Sequence, residues 1–363
     1  MKLVIFGLTM SSSWGNGHAT LWRALARALA RKGHKVVFFE KDVPYYASNR
    51  DMTEAAWLDL VLYGSWENIR KRAEAELRDA DVGMVTSYCP DGREAAALVL
   101  SSAARIKCFY DLDTPVTLAN LKEGKEVGYL PEDGLGGFDM TLSYTGGRAL
   151  DELKSVLGAK KTAPLYGSVD PEMHGPSDKV SEYEADLSYL GTFAEDRQRS
   201  LTELFIEPAR RLPEKRFVLG GSLYPRDFPW TGNIYFVWHV PPPRHPLFYS
   251  SAKWTLNVTR GAMAGMGWCP SGRLFEAAAC GSPVLSDFWD GIEDFLSPGR
   301  EIVIVRSPEE VVDALAMNET ERRKIAAAAR ERVLEEHTSN ERAAEFERIM
   351  ECVLQGKEEA CGG

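Results

Sequence analysis

The sequence predicts an α/β protein of two Rossmann-like, doubly wound parallel-sheet domains facing a cleft, with helices at the C-terminal end. Three observations predict it. Strand and helix patterns alternate through both halves of the chain, and a Pro- and Gly-rich stretch separates the halves. At 363 residues the chain exceeds one comfortable core and suits two domains of ordinary size.

The first half opens with a continuous apolar run, Lys2 to Leu8, as expected of a strand buried on both faces of a parallel sheet. Ala19 to Lys32 then carries Leu21, Trp22, Leu25 and Leu29 on one helical face, and Gly33 closes it. Arg23, Arg27 and Arg31 recur at spacing four and read as a solvated face. Lys35 to Phe39 returns as a strand, so the unit is strand, helix, strand with a right-handed crossover. Asp81 to Ser87, Lys107 to Tyr110 and Asp139 to Ser143 read as further strands.

Pro164, Gly167, Pro171, Gly175 and Pro176 fall among polar residues between Gly158 and Glu184, which reads as a hinge. The expected division is 1–165, then 166–345, with a helix and tail at 346–363 that pack back on the first domain. Beyond the hinge, strands are expected at Leu187 to Phe193, Arg216 to Leu219, Ile234 to Trp238, Trp254 to Val258, Pro283 to Ser286 and Glu301 to Val305. Helices are expected at Ser200 to Arg211 and Gly272 to Cys280. Ser307-Pro308-Glu309-Glu310 is a capping box with proline at the first helical position, and Thr338 to Glu341 opens the last helix in the same way.

Composition narrows the function. The formal net charge of −10 argues against bulk binding to nucleic acid or anionic membrane. No apolar run reaches membrane-spanning length and no leader is visible, so a cytoplasmic location is expected. Six cysteines are dispersed without a CxxC or a Cys/His cluster, which fits reduced thiols better than disulfides or zinc. No metal and no cofactor are expected.

The oddest residues fall at strand C-termini, where open parallel sheets bind ligands. They are Ser11 to His18, Gly220-Gly221-Ser222, Asn257 to Arg260, and Pro270 to Arg273 opening a helix. Glycines admit a ligand close to the backbone, and the free amides of a first helical turn favour anions, so a phosphate-bearing ligand is indicated. The Walker pattern is absent, and Gly15-Asn16-Gly17 lacks the third glycine of a dinucleotide fingerprint. In "PSGRLFEAAACGSPVLSD", Ser271 can cap the helix, Arg273 sits in its first turn beside Gly272, and Glu276 lies one turn on. A carboxylate there suits two adjacent ribose hydroxyls, and a plain Arg273–Glu276 salt bridge is the competing explanation.

Those residues, extended as "SGRLFEAAACGSPVLSDFWDGIEDFLSPGREIVIV", resemble the nucleotide-sugar half of GT-B glycosyltransferases, especially CgeB-like proteins and the glycosyltransferase family 1/4 group. The opening "GNGHATLWRALARALARKGHKVVFFEKD" is similar to the start of the same group. The resemblance implies a UDP- or dTDP-sugar held by the second domain and transferred, without metal, to an acceptor facing the first: a glycan, small molecule or protein. It implies that Glu276 holds the ribose and that Arg273, Arg260, Gly221 and Ser222 surround the diphosphate, with the base held by backbone at Val240. Gly17 joins the donor side. Many retaining relatives carry a second glutamate eight positions before the first, where this chain has Trp268.

A base for the acceptor hydroxyl is expected at His18, at a loop-to-helix junction, or at Asp111 and Asp113 in "FYDLDTPVTL". Each has a structural alternative: a helix-start hydrogen bonder for His18, an Asp-capped turn for the pair. Trp14, Asn16, Glu40, Tyr45 and Tyr46 are the acceptor-side candidates, on the loops after the first and second strands. Trp230, Trp238, Trp254 and Trp268 read as packing residues, and "HVPPPRHPLFY" as a rigid loop. Three rival functions share the pattern: a nucleotide-sugar 2-epimerase, an NAD(P)-dependent oxidoreductase and a non-catalytic binding protein.

Overall fold

The computed structural model describes residues 1–356; the tail beyond, with Cys361, lies outside the described residues. The chain divides into two compact units. One comprises Met1–Tyr166 with the segment from Ser339 onward, the other Gly167–Thr338.

The first unit alternates strands and helices: β1 (Lys2–Gly7), α1 (His18–Arg31), β2 (Lys35–Lys41), α2 (Pro44–Ala47), β3 (Asp59–Tyr63), α3 (Trp66–Leu77) and β4 (Val82–Thr86). It continues with α4 (Gly92–Ser101), β5 (Ile106–Asp111), α5 (Thr114–Lys122), β6 (Met140–Ser143), α6 (Arg148–Leu157) and β7 (Thr162–Pro164). All seven strands are parallel, in the order β3-β2-β1-β4-β5-β6-β7. Side chains alternate across a strand, so Leu3 and Ile5 enter one core layer while Val4 and Phe6 enter the other. This two-sided burial is why β1 and β2 read as unbroken apolar runs. Two strands had no clear pattern: β3 follows an irregular stretch, and β7 is three residues long and ends on Pro164.

The second unit runs β8 (Ala185–Leu190), α7 (Gln198–Leu201), a π turn (Thr202–Ile206), α8 (Glu207–Arg211), β9 (Phe217–Gly221), β10 (Ile234–Trp238) and α9 (His245–Ser251). Then come β11 (Ala252–Asn257), α10 (Gly261–Met266), α11 (Gly272–Ala279), β12 (Val284–Ser286), β13 (Val303–Ile304), α12 (Pro308–Ala316) and α13 (Glu319–Glu336). Its six strands are also parallel, ordered β10-β9-β8-β11-β12-β13. The helix expected over Ser200 to Arg211 is interrupted by the π turn, just before Pro208, which has no N–H to continue the ladder.

The last helix, α14 (Ser339–Leu354), returns to the first unit. Phe346, Ile349 and Met350 join the layer containing Trp22 and Leu25 of α1, and Glu347 pairs with Lys32 and His34. In the other unit the Ser307 hydroxyl accepts from the Glu310 amide, as the capping box predicts. Five cysteines are free and buried among the described residues. No helix of these residues is long and apolar enough to cross a membrane.

Three expectations are corrected. The α1 arginines are not simply solvated: Arg23 donates to the Met10 carbonyl and pairs with Asp51, and Arg27 covers the Trp57 ring. The stretch His239 to Tyr249 is not all loop, because Pro246 stands in the first turn of α9, where proline's missing amide costs no hydrogen bond. Trp254 is buried as expected, but Trp238, on edge strand β10, is 58% exposed.

Candidate active site

In the first unit the functional candidates gather at the C-terminal ends of three neighbouring strands, β1, β4 and β5. Just before the Gly17 cap of α1, the Asn16 side-chain oxygen accepts from the His18 amide at 2.8 Å. This places His18 Nε2 3.6 Å from Asp113 Oδ2, both side chains being mostly buried. Tyr88, beyond β4, lies against the His18 ring with centroids 5.5 Å apart. Burial, and then the Asp113 charge, raise the Tyr88 hydroxyl above its ordinary pKa. His18 Nδ1 is the covered nitrogen without a hydrogen-bond partner. A carboxylate held beside one imidazole nitrogen leaves the other as the proton acceptor.

Asp111 does not sit with that pair as a second accessible base. It is fully buried, accepts from the Asp113 amide at 3.1 Å, and burial pushes its carboxyl up to about 6. It shapes the turn that carries Asp113. Glu40 also points inward. Its two oxygens accept from Thr9 Oγ1, the Met10 and Ser11 amides and Ser11 Oγ, at 2.5–2.9 Å. It is the internal clamp of the loop that leads to Trp14 and is not open to an acceptor. Trp14 and Asn16 are half-buried on that loop, and Gly17 is exposed. Tyr45 and Tyr46 form an edge-to-face pair on α2, centroids 5.0 Å apart, with Tyr45 exposed.

In the second unit the centre is the start of α11. Ser271 Oγ accepts from the Arg273 amide at 3.3 Å. Arg273 reaches across the C-terminal ends of two strands, donating from Nε to the Leu190 carbonyl and from Nη1 to Asn257 Oδ1, both at 2.6 Å, with its guanidinium over the Tyr189 ring. Both of these acceptors are neutral, and the nearby Asp287 carboxyl also feels the Arg273 charge. Glu276 turns elsewhere: Tyr249 Oη donates to its Oε2 at 3.0 Å, and His245 Nδ1 lies 3.6 Å away. The i,i+3 salt bridge considered for Arg273 and Glu276 is therefore not the arrangement present. Burial would raise the Glu276 carboxyl, but His174, His245 and Tyr249 together hold it at about 2.

The remaining donor-side candidates differ in availability. Gly221 is required by close approach, since a Cβ there would meet the Gly191 carbonyl oxygen at 2.0 Å. Ser222 is buried, with its hydroxyl 3.4 Å from that of Thr192. Val240 is buried and its carbonyl accepts from His245 Nε2 at 3.1 Å, so that backbone group is already engaged. Arg260 pairs with Asp196 at 3.0 Å. Trp268 has positive φ, donates from Nε1 to Asp294, and packs its ring on Gly291.

Sequence reasoning did not find Tyr88, Tyr189, Tyr249 or His174. One signal is structural. Among the described residues the non-glycine positions with positive φ are Tyr88, Leu223, His239 and Trp268. The first three follow the C-terminal ends of β4, β9 and β10, and the last precedes α11, and such strain collects at functional edges.

The comparisons with known proteins concern the fold and this second unit. Residues 197–348 match a family model described as glycosyl transferase-like. No curated protein matches the sequence. Among solved structures, a sucrose-phosphate synthase from Thermosynechococcus elongatus is similar at TM-score 0.70 and 13% identity, covering 98% of this chain and 100% of that one. An alpha-glucosyltransferase in complex with UDP-glucose and DNA containing an abasic site is similar at TM-score 0.71 and 13% identity, covering 97% and 99%. Anabaena HepE in complex with UDP-glucose is similar at TM-score 0.64 and 12% identity, covering 95% and 99%. At these identities the likeness establishes the fold: two parallel-sheet α/β units of the GT-B kind with C-terminal helices.

Proposed function

We propose that the chain is a glycosyltransferase that moves a sugar from a UDP- or dTDP-type donor to an acceptor hydroxyl without a catalytic metal. The observation that carries this reading is the α11 start, where a Ser271-capped helix end and a guanidinium held by neutral groups stand one turn from an ionised carboxylate. The glycosyl transferase-like match spans that segment, and solved neighbours of the same fold carry UDP-glucose. The finer likeness to CgeB-like proteins rests on Arg273 to Asp287.

Breaking the anomeric C–O bond leaves a nucleoside diphosphate whose charge grows in the transition state. A helix N-terminus and a fixed arginine stabilise that charge with no reorganisation at the moment of reaction. Glu276 accepts from the ribose hydroxyls. In the first unit His18 takes the acceptor proton, and Asp113 holds the resulting imidazolium.

A thermal-shift panel tests the reading. UDP or dTDP compounds should raise the melting temperature, as ligands of the folded state must, and NADH should not. Glu276→Ala should abolish the shift. A leading response to NADH, or a UDP shift indifferent to Glu276, defeats it.

A further inference from the structure

His174, His245 and Glu276 each offer one ligand atom within 4.8 Å of the others, a grouping that sugar transfer does not require. His174 comes from the segment ahead of β8, His245 from the first residue of α9 and Glu276 from α11.

Hydrogen bonding at His245 makes the grouping informative. Its Nε2 lies 3.1 Å from the Val240 carbonyl, and a carbonyl only accepts, so Nε2 carries a proton. In the neutral ring Nδ1 then presents a lone pair to the Glu276 carboxylate 3.6 Å away. A cation joins two such groups, either a proton on Nδ1 or a metal ion. A ring nitrogen donating to a backbone carbonyl while the other faces a ligand position is the usual outer support of a metal-bound histidine. Tyr249, donating to the same carboxylate, supports the second ligand. His174 is the independent third observation: it is 7% exposed, and neither ring nitrogen has a hydrogen-bond partner.

We propose that His174, His245 and Glu276 bind a borderline divalent transition-metal ion of the zinc class. Ligands bonded to zinc at about 2.0–2.1 Å in a tetrahedron stand roughly 3.3 Å apart, close to the His245–Glu276 separation, and three protein ligands leave a fourth position for water. The ion is not placed at the leaving group and takes no part in sugar transfer. It withdraws Glu276 instead, so metal and nucleoside compete; this consequence, unlike the site, rests on Glu276 being the ribose ligand.

The test uses the full-length chain, stripped with EDTA and dialysed. Titration with Co²⁺ should give one equivalent with the strong visible bands of low-coordinate cobalt, and Zn²⁺ should displace it. His174→Ala and His245→Ala should each weaken binding tenfold or more, and Tyr249→Phe, which keeps every ligand, severalfold. A chain that binds no stoichiometric Co²⁺ overturns the proposal and makes the cation between His245 and Glu276 a proton. Binding that survives both histidine variants overturns it too, by placing the ion elsewhere. UDP thermal shifts in EDTA are read separately: with the shift present and cobalt unbound, only the metal site fails. With cobalt bound and the shift absent, only the nucleotide reading fails. Added Zn²⁺ should reduce the UDP shift if both stand.

Discussion

Helices α1 and α11 hold similar places, each beginning beyond the C-terminal edge of a parallel sheet, but they bring different chemistry there. In α1 the first residue is His18, supported by Asn16 and directed at Asp113. In α11 the cap is Ser271 and the first turn carries Arg273, pinned to two strand ends. Both backbones present a partial positive charge. On the proposed reading, the side chain set into that field decides the role: a proton acceptor in one unit, a fixed cation for an anion in the other.

The largest test of that contrast is Arg273→Ala. Losing one preorganised cation or donor at a developing charge costs about 100- to 1,000-fold in turnover, so kcat should fall by that factor and the UDP thermal shift should shrink. Next, His18→Ala should lower kcat about 100-fold, the lower end of general-base contributions, while leaving the UDP shift unchanged. If it removes the shift instead, the two helices do not divide the work.

A pH experiment probes the support beneath His18. The Asp111 carboxyl is raised by burial from 3.8 to about 6, so between those values the folded chain holds more of its proton than the unfolded chain. Stability from this group is therefore present below the unfolded pKa and lost as pH rises through about 6, by roughly 3 kcal/mol. Asp111→Asn should flatten that part of the melting-temperature profile, and an unaltered profile would deny Asp111 its burial cost. The smallest effect expected is for Asn16→Ala, which removes one hydrogen bond to the His18 amide, worth about 1 kcal/mol. Chemical denaturation would register it.

The same contrast explains what was legible in the sequence. Elements with a local cause could be read: the unbroken apolar run of β1, the amphipathic α1, the Ser307 box and the Ser271 cap. Glu40 looked like a loop carboxylate because nothing nearby in sequence shows that four donors from residues 9 to 11 surround it. Pro246 was misleading because its meaning depends on which helical turn it occupies. His174 and His245 stand far apart in the chain from each other and from Glu276, at no helical or strand spacing. Only the crossing of three segments brings them together.

The route of the chain has one more consequence. The second unit is an excursion within the first: Val169 and Thr338, near its two ends, form a parallel bridge, and the chain then enters α14. During synthesis the first unit must wait for its closing helix, while everything from Gly167 to Thr338 has already emerged. The later-coded portion is therefore free to mature before its host, and a break at either crossing point would leave the host lacking the helix that covers Trp22.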